Sequence, residues 1–152
     1  MNPRQRVHAT CVAINGRGVL LRGKPGAGKS DLALRLIDTP GYGLGPELLR
    51  AELIADDQVM LEQVAGVLLA SCPNPIKHRL EIRGLGIVDR MSGGPVPLAL
   101  VVDLVPGLAV ERLPADSDRS TSLLEVRLPR LALDPFTASA PAKIRAALSL
   151  SA

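Results

Sequence analysis

The chain has 152 residues, a net charge of +3 and 47% hydrophobic residues, but only one Tyr, one Phe and no Trp. This length suits one domain over 1–152 with a self-sufficient core, which Leu, Val, Ile and Ala must fill. Scarce aromatics argue against a single-strand nucleic-acid binder, which stacks bases on rings, and the mild, scattered basic charge does not demand nucleic acid. Cys11 and Cys72 lack metal-ligand spacing and read as reduced thiols. The N-terminal stretch MNPRQRVHATCVAINGRG lacks a signal-type apolar segment, and no apolar run reaches the ~18 residues of a membrane span. A cytoplasmic protein without membrane or nucleic-acid partners is expected.

In chain order, 10–14 and 18–22 are short β-prone runs separated by Asn15-Gly16, a hairpin signal at a spacing longer than two residues. The glycine loop 23–30 follows, then helix formers over 31–37, ended by Thr39-Pro40-Gly41. A Gly/Pro-punctuated connection spans 42–52, with a short helix expected at 46–51. Residues 53–55 read as a buried strand ending in Asp56-Asp57. Further strands are expected at 59–61, 64–69, 86–88, 96–105 and 123–128; the run 95–105 is almost entirely apolar, as in a strand covered on both faces. Residues 115–122 read as a mobile polar loop. Residues 141–150 read as a helix, with Pro141 in its first turn and Ser139 as a cap.

The loop GKPGAGKS (Gly23, Lys24, Pro25, Gly26, Ala27, Gly28, Lys29, Ser30) fits the phosphate-loop pattern without a mismatch. Its glycines let successive N–H groups face phosphate oxygens, and the following helix presents its positive end to the same anion. Lys29 can reach the outer phosphates, and Ser30 can ligate Mg²⁺. A strand directly before and a helix directly after are what the motif needs. Asp56-Asp57 then offers two carboxylates at a strand end. Neighbours on a strand point to opposite sides, so one can work near a metal and the other can take a proton from an attacking hydroxyl. In LEIRGLGIVD, Glu81 and Arg83 alternate with Leu80 and Ile82 and can share a face.

GVLLRGKPGAGKS, ADD and LEIRGLGIVD, in that order, resemble the catalytic domain of the HPr kinase/phosphorylase family. His8, fifteen residues before Gly23, matches the expected position of the family's histidine. The resemblance runs from about 6 to 113. It implies an α/β phosphate-loop domain of the phosphoenolpyruvate carboxykinase-like type, β-rich with few helices. It implies transfer of the γ-phosphoryl group of ATP to a serine of HPr, the phosphocarrier of the sugar phosphotransferase system. It also implies reversal by phosphorolysis, and a homo-oligomer, typically a hexamer. Carried over by residue, loop 23–30 with Lys29 would bind the ATP phosphates, and Ser30 and Glu81 would hold Mg²⁺. One of the aspartates, with Asp57 favoured over Asp56, would be the base. His8, Arg83 and, more loosely aligned, Arg112 would support the reacting centre.

Three departures from the family pattern stand out. The chain starts near the catalytic domain, as expected of a short form without the usual N-terminal domain. The connection around 39–49 is longer by roughly ten residues, which costs little as surface loop; a tolerated insertion is the favoured reading over a partner contact or a nucleotide cover. Residues 132–142 hold no basic side chain where the family carries a basic, glycine-containing loop, so phosphorolysis is expected to be weakened. Two rival functions are a small-metabolite phosphotransferase and a non-catalytic ATP-binding regulatory module. The set Lys29, Asp56, Asp57 and Glu81 speaks against the latter. Short members are associated with carbon or nitrogen regulation and a two-component partner.

Overall fold

The computed structural model describes residues 1–73, 79–89 and 94–150. Nine strands join one sheet among these residues. Its centre is β3 (Arg17–Arg22), parallel to β9 (Val96–Leu104). On one side of β3 lie β2 (Thr10–Ile14) and β4 (Ala51–Ala55), both antiparallel additions. On the other side, β9 pairs through its first residues with β6 (Val67–Ser71) and through its later ones with β11 (Val126–Leu133). The hairpin partners β5 (Val59–Val64) and β10 (Ser120–Leu123), with β1 (Arg4–Val7) on β5, complete the sheet. A separate hairpin holds β7 (Arg79–Ile82) and β8 (Gly86–Asp89). Among the described residues the two α-helices are α1 (Lys29–Asp38) and α2 (Ala140–Leu150).

Both faces of the central strands are covered, which is why β2 is buried at every residue. On one face, Val19 and Leu21 of β3 and Leu100 and Val102 of β9 pack with Leu32 and Leu36 of α1 and Ile144 and Leu148 of α2. On the other, Leu20 and Val101 pack with Val59, Leu61 and Leu68 of the β5–β6 hairpin and Leu128 of β11. The buried hydrophobic side chains are aliphatic or Cys, as the composition requires. Cys11 sits among them, and burial pushes its thiol up to about 12, which makes it inert at neutral pH. Among the described residues, no helix is long and apolar enough to cross a membrane.

The strand–loop–helix unit and the 53–55 strand form as expected, but several boundaries move. The first hairpin loop is two residues: β2 ends at Ile14 and β3 starts at Arg17. Asn15 and Gly16 have φ of 48° and 79°, the pattern of a tight primed turn. No helix forms at 46–51. Instead Gly41 and Leu49 exchange backbone hydrogen bonds of 3.2 and 2.7 Å, and β4 begins at Ala51. The Asn15 amide donates to Leu48 O at 3.0 Å and its carbonyl accepts from Arg50 N at 2.9 Å, taking up backbone groups that a helical turn would use.

The expected strands 64–69 and 123–128 each straddle a hairpin turn. Ala65-Gly66 and Leu124-Glu125 occupy those turns at positive φ. Ala, Leu and Glu do not seek that region, so cross-strand register imposes it. The polar stretch 115–122 is structured, with a 3₁₀ turn at Asp116–Asp118 and then β10. Strand β1, RQRV, has no apolar run and was not anticipated.

Asp103, near the end of β9, accepts from Arg22 at the end of β3 at 2.7 and 2.9 Å and from Arg130 within β11 at 2.5 Å. Burial pushes the Asp103 carboxyl up, but the hydrogen bonds and charges of Arg22 and Arg130 outweigh it and hold it below its usual value. A carboxyl lowered in the folded state stabilises fully above its unfolded value near 3.9, and that stabilisation is lost as pH falls through the folded value. Asp103→Asn is therefore expected to cost about 1–3 kcal/mol at pH 7. It should also remove part of the wild-type loss of stability below about pH 4. Urea unfolding of both proteins across pH checks this; an unchanged pH dependence would count against the role of the pair.

Candidate active site

The glycine loop leaves β3 and enters α1 with Gly26 and Gly28 at φ of 82° and 102°, conformations that a side chain disfavours. Gly28 caps α1 without a side-chain hydrogen bond, so the first N–H groups of the helix stay available at the loop. Lys29 is buried, and its ammonium donates to Gly23 O at 2.8 Å and Lys24 O at 3.1 Å. Gly23 lies close to Ala27 and Leu104: a Cβ there would fall 2.9 Å from Ala27 Cβ. The loop is thus folded over its own lysine and anchored to the end of β9.

Asp56 is the hub beside this loop. It is 9% exposed and accepts from Thr10 Oγ1 at 2.8 Å, from Ser30 Oγ at 2.8 and 3.0 Å, and from Glu81 N at 3.2 Å. Strand β2, helix α1 and hairpin β7–β8 are therefore tied to one carboxylate. Asp57 does the opposite: its side chain is 70% exposed and its Oδ1 lies 3.3 Å from His8 Nδ1. The two acids do diverge, but not through strand alternation, since β4 ends at Ala55. Asp57 has φ of 71°, and Gln58 N donates to Asp56 O at 2.8 Å, a three-residue turn centred on Asp57. Ala9 N donates to Asp57 O at 3.2 Å, which keeps His8 alongside.

A cleft of about 710 Å³ opens here, and His8, Pro25, Gly26, Gly28, Lys29, Ser30, Asp56, Asp57, Glu81 and Arg83 all line it. Glu81 comes from β7 and Arg83 from the turn just beyond it. Lys24 is exposed at the loop's outer side. Arg112 is exposed past the 3₁₀ turn Gly107–Ala109 and does not line the cleft. The insertion around 39–49 does not line it either; its glycines pack on Arg145 and Ser149 of α2.

Five cleft-lining residues escaped the sequence reading: Thr10, Asp31, Leu34, Ile82 and Phe136. Thr10 is a fully buried polar residue opening an apolar strand, a signal only once Asp56 is known to face it. Phe136 lines the cleft against Gly28; being the chain's one phenylalanine was its available clue. Chemically, the cleft combines a buried ammonium, helix N–H groups, hard oxygen donors at Ser30, Asp56 and Glu81, a guanidinium and an exposed carboxylate–imidazole pair. Such a set can hold an anion with a divalent cation and accept a proton. Among the described residues, no group of three or more His, Cys, Asp or Glu is arranged to hold a metal by itself; Mg²⁺ needs one or two carboxylates plus phosphate oxygens, so the oxygen donors here fit it.

Comparisons with known proteins place the chain in a family. The chain is 37% identical over 142 residues to the HPr kinase/phosphorylase of Geobacillus thermodenitrificans, covering 86% of this chain and 42% of that protein. It is 40% identical over 123 residues to the HPr kinase/phosphorylase of Bordetella pertussis, covering 74% and 37%. It thus spans about two fifths of the length of these curated relatives. A solved structure, the Hpr(Ser) kinase/phosphatase from Coxiella burnetii, superposes with a TM-score of 0.73 at 26% identity, over 95% of this chain and 93% of that one. The mixed, β-rich α/β fold of this chain matches that structure. The family profile described as "HPr Serine kinase C-terminal domain" matches residues 1–94. With its loop, acid pair and LEIRGLGIVD hairpin gathered at one cleft, the chain belongs to the HPr serine kinase C-terminal domain family.

Proposed function

We propose that residues 1–152 act as one catalytic domain, a protein-serine kinase that moves the γ-phosphoryl group of ATP to a serine hydroxyl of HPr. The observation that supports it most is the convergence of four separate segments on one cleft: His8, the loop at Lys29 and Ser30, Asp56-Asp57, and Glu81 with Arg83. In this reading loop 23–30 is a Walker A loop. Its N–H groups and the start of α1 receive the triphosphate, and Lys29 exchanges loop carbonyls for phosphate oxygens. Ser30 and Glu81, with Asp56 between them, would hold Mg²⁺, which supplies charge neutralisation of the phosphates when bound.

HPr presents its serine at the His8–Asp57 side. Asp57 takes the hydroxyl proton as the serine oxygen bonds to the γ-phosphorus, and the bond to the bridging oxygen breaks to release ADP. Arg83 steadies the charge on the transferring oxygens. His8 orients the Asp57 carboxylate. In the reverse direction a phosphate oxygen bonds to the phosphoserine phosphorus, the bond to the serine oxygen breaks, Asp57 returns the proton to that oxygen, and pyrophosphate is released.

That reverse direction is expected to be weak. Residues 132–142 carry no basic side chain, and Arg35, which does reach this loop, is committed to Asp31 at 3.0 Å and to the carbonyls of Pro135 and Thr137. Losing one charged hydrogen bond to phosphate, about 1.5–3 kcal/mol, means roughly 10- to 150-fold poorer use of phosphate. Pyrophosphate release from phosphorylated HPr measures this, and a rate matching the forward reaction would contradict it.

The test of the kinase reading is intact-mass analysis of HPr after incubation with the protein and Mg²⁺-ATP. One added phosphoryl group is expected, absent with Lys29→Ala and absent on HPr lacking its target serine. Unmodified HPr alongside phosphorylation of a small metabolite would replace this reading with a metabolite kinase.

A further inference from the structure

We propose that Phe136 is the platform on which the base of the bound nucleoside triphosphate stacks, an inference that rests on the phosphate-loop reading above. The core uses aliphatic side chains and Cys11, while the chain's one phenylalanine is left 72% exposed, inside the cleft. Exposed large hydrophobic side chains occur elsewhere on the chain, but among them it is Phe136 that lines the cleft, where a flat ring can meet a base.

The backbone that carries the ring is held there from several sides. Phe136 N donates to Asp134 Oδ1 at 3.0 Å, and Thr137 Oγ1 donates to Asp134 O at 3.0 Å. Arg35, on the helix that follows the glycine loop, donates to the carbonyl of Pro135. A loop backbone fixed before the ligand arrives loses little freedom on binding.

Its position relative to the loop is equally specific. A Cβ added at Gly28 would lie 3.2 Å from Phe136 Cζ and 3.2 Å from Pro135 Cγ, so the ring lies close beside the loop at the residue that caps α1. Ser30 and Leu34 occupy one face of α1, four residues apart, and both line the same cleft as Phe136. A triphosphate seated at Ser30 would have its nucleoside led along an apolar wall of Leu34 and Phe136. Phe136 lies outside residues 1–94, the part the family profile matches. Stacking uses the π-face that every base has, so ATP and GTP should depend on the ring alike.

The experiment compares binding of Mg²⁺-ATP, Mg²⁺-GTP and Mg²⁺-tripolyphosphate, which has no base, to wild type, Phe136→Ala and Phe136→Tyr by calorimetry. Phe136→Ala is expected to weaken both nucleotides roughly 5- to 150-fold, to leave tripolyphosphate unchanged, and to be rescued by Phe136→Tyr. Equal weakening of tripolyphosphate would mean that the ring only shapes the loop and would overturn the proposal. So would unchanged nucleotide affinity, including the case where only the KM for HPr rises. Lys29→Ala keeps the two readings apart: if it leaves tripolyphosphate binding intact, the phosphate-loop reading fails whatever Phe136 does.

Discussion

Asp57→Asn is expected to slow phosphoryl transfer to HPr by about 10²- to 10⁴-fold, the range for a lost general base, with ATP affinity and melting temperature close to wild type. Asp57 is exposed at the cleft and pairs with His8 at 3.3 Å, so its carboxylate supports no buried contact. Its backbone is the unusual part, at φ of 71° in a three-residue turn. Asn tolerates positive φ, so the substitution removes the carboxylate proposed as proton acceptor and leaves the turn alone. Such a conformation costs of order 1–3 kcal/mol and persists where function needs it. Asp57→Gly, free of that cost, should be equally inactive yet melt no lower than wild type. Single-turnover transfer with ATP binding measured in parallel is the check; near-wild-type transfer by Asp57→Asn would remove Asp57 as the base. Asp56→Asn should differ in kind. It places an amide against Ser30 Oγ and Glu81 N, which Asp56 now serves as acceptor, and nucleotide binding itself should fall.

Gly43→Ala is expected to destabilise the protein by about 2–5 kcal/mol, from overpacking of 1–3 and left-handed strain of 1–2. A Cβ at Gly43 would lie 2.3 Å from Arg145 C and 2.5 Å from Ala146 N. These are backbone atoms of α2 and cannot swing aside. The residue also has φ of 59°. Arg145 is itself buried and donates to Thr39 O, and burial pulls its guanidinium down from the usual value. Insertion and C-terminal helix are therefore clamped together, and moving α2 would loosen Ile144 and Leu148 in the core. At roughly 2–4 °C per kcal/mol for this size, the melting temperature should drop by about 4–20 °C. Gly16→Ala is the control: its φ is 79° but no atom lies within 4 Å of a Cβ there, so only the strain of about 1–2 kcal/mol applies. Equal loss in both variants would mean that contact with α2 contributes nothing.

These clamps explain the fate of the 39–49 segment. Three glycines at alternate positions, Gly41, Gly43 and Gly45, let its backbone approach α2 closely. It braces a helix, and neither roofs the cleft nor floats as a free loop.

The local chemistry was legible in the sequence. GKPGAGKS needs only its own glycines to curl and its own helix to follow, so residues 23–38 could be placed without knowing the rest. Asn15-Gly16 likewise carries its own turn preference. Asp56-Asp57 announced two carboxylates because the apolar run before them ends abruptly, and LEIRGLGIVD marked the family because its spacing is so restrictive. Tertiary structure alone decided what had no local cause. Leu124-Glu125 and Ala65-Gly66 turn because paired strands require it, against the preferences of Leu, Glu and Ala. Asp56 is buried and Asp57 exposed because Thr10, Ser30 and Glu81 N, from 46, 26 and 25 residues away, all reach the first while His8 meets the second. Phe136 stands beside Gly28, more than a hundred residues earlier in the chain, because β11 runs parallel to β9 and delivers the loop after it to the end of the sheet where the glycine loop begins. Residue type and short spacing set the available chemistry, but which groups meet depends on long-range strand pairing, which a single sequence does not display.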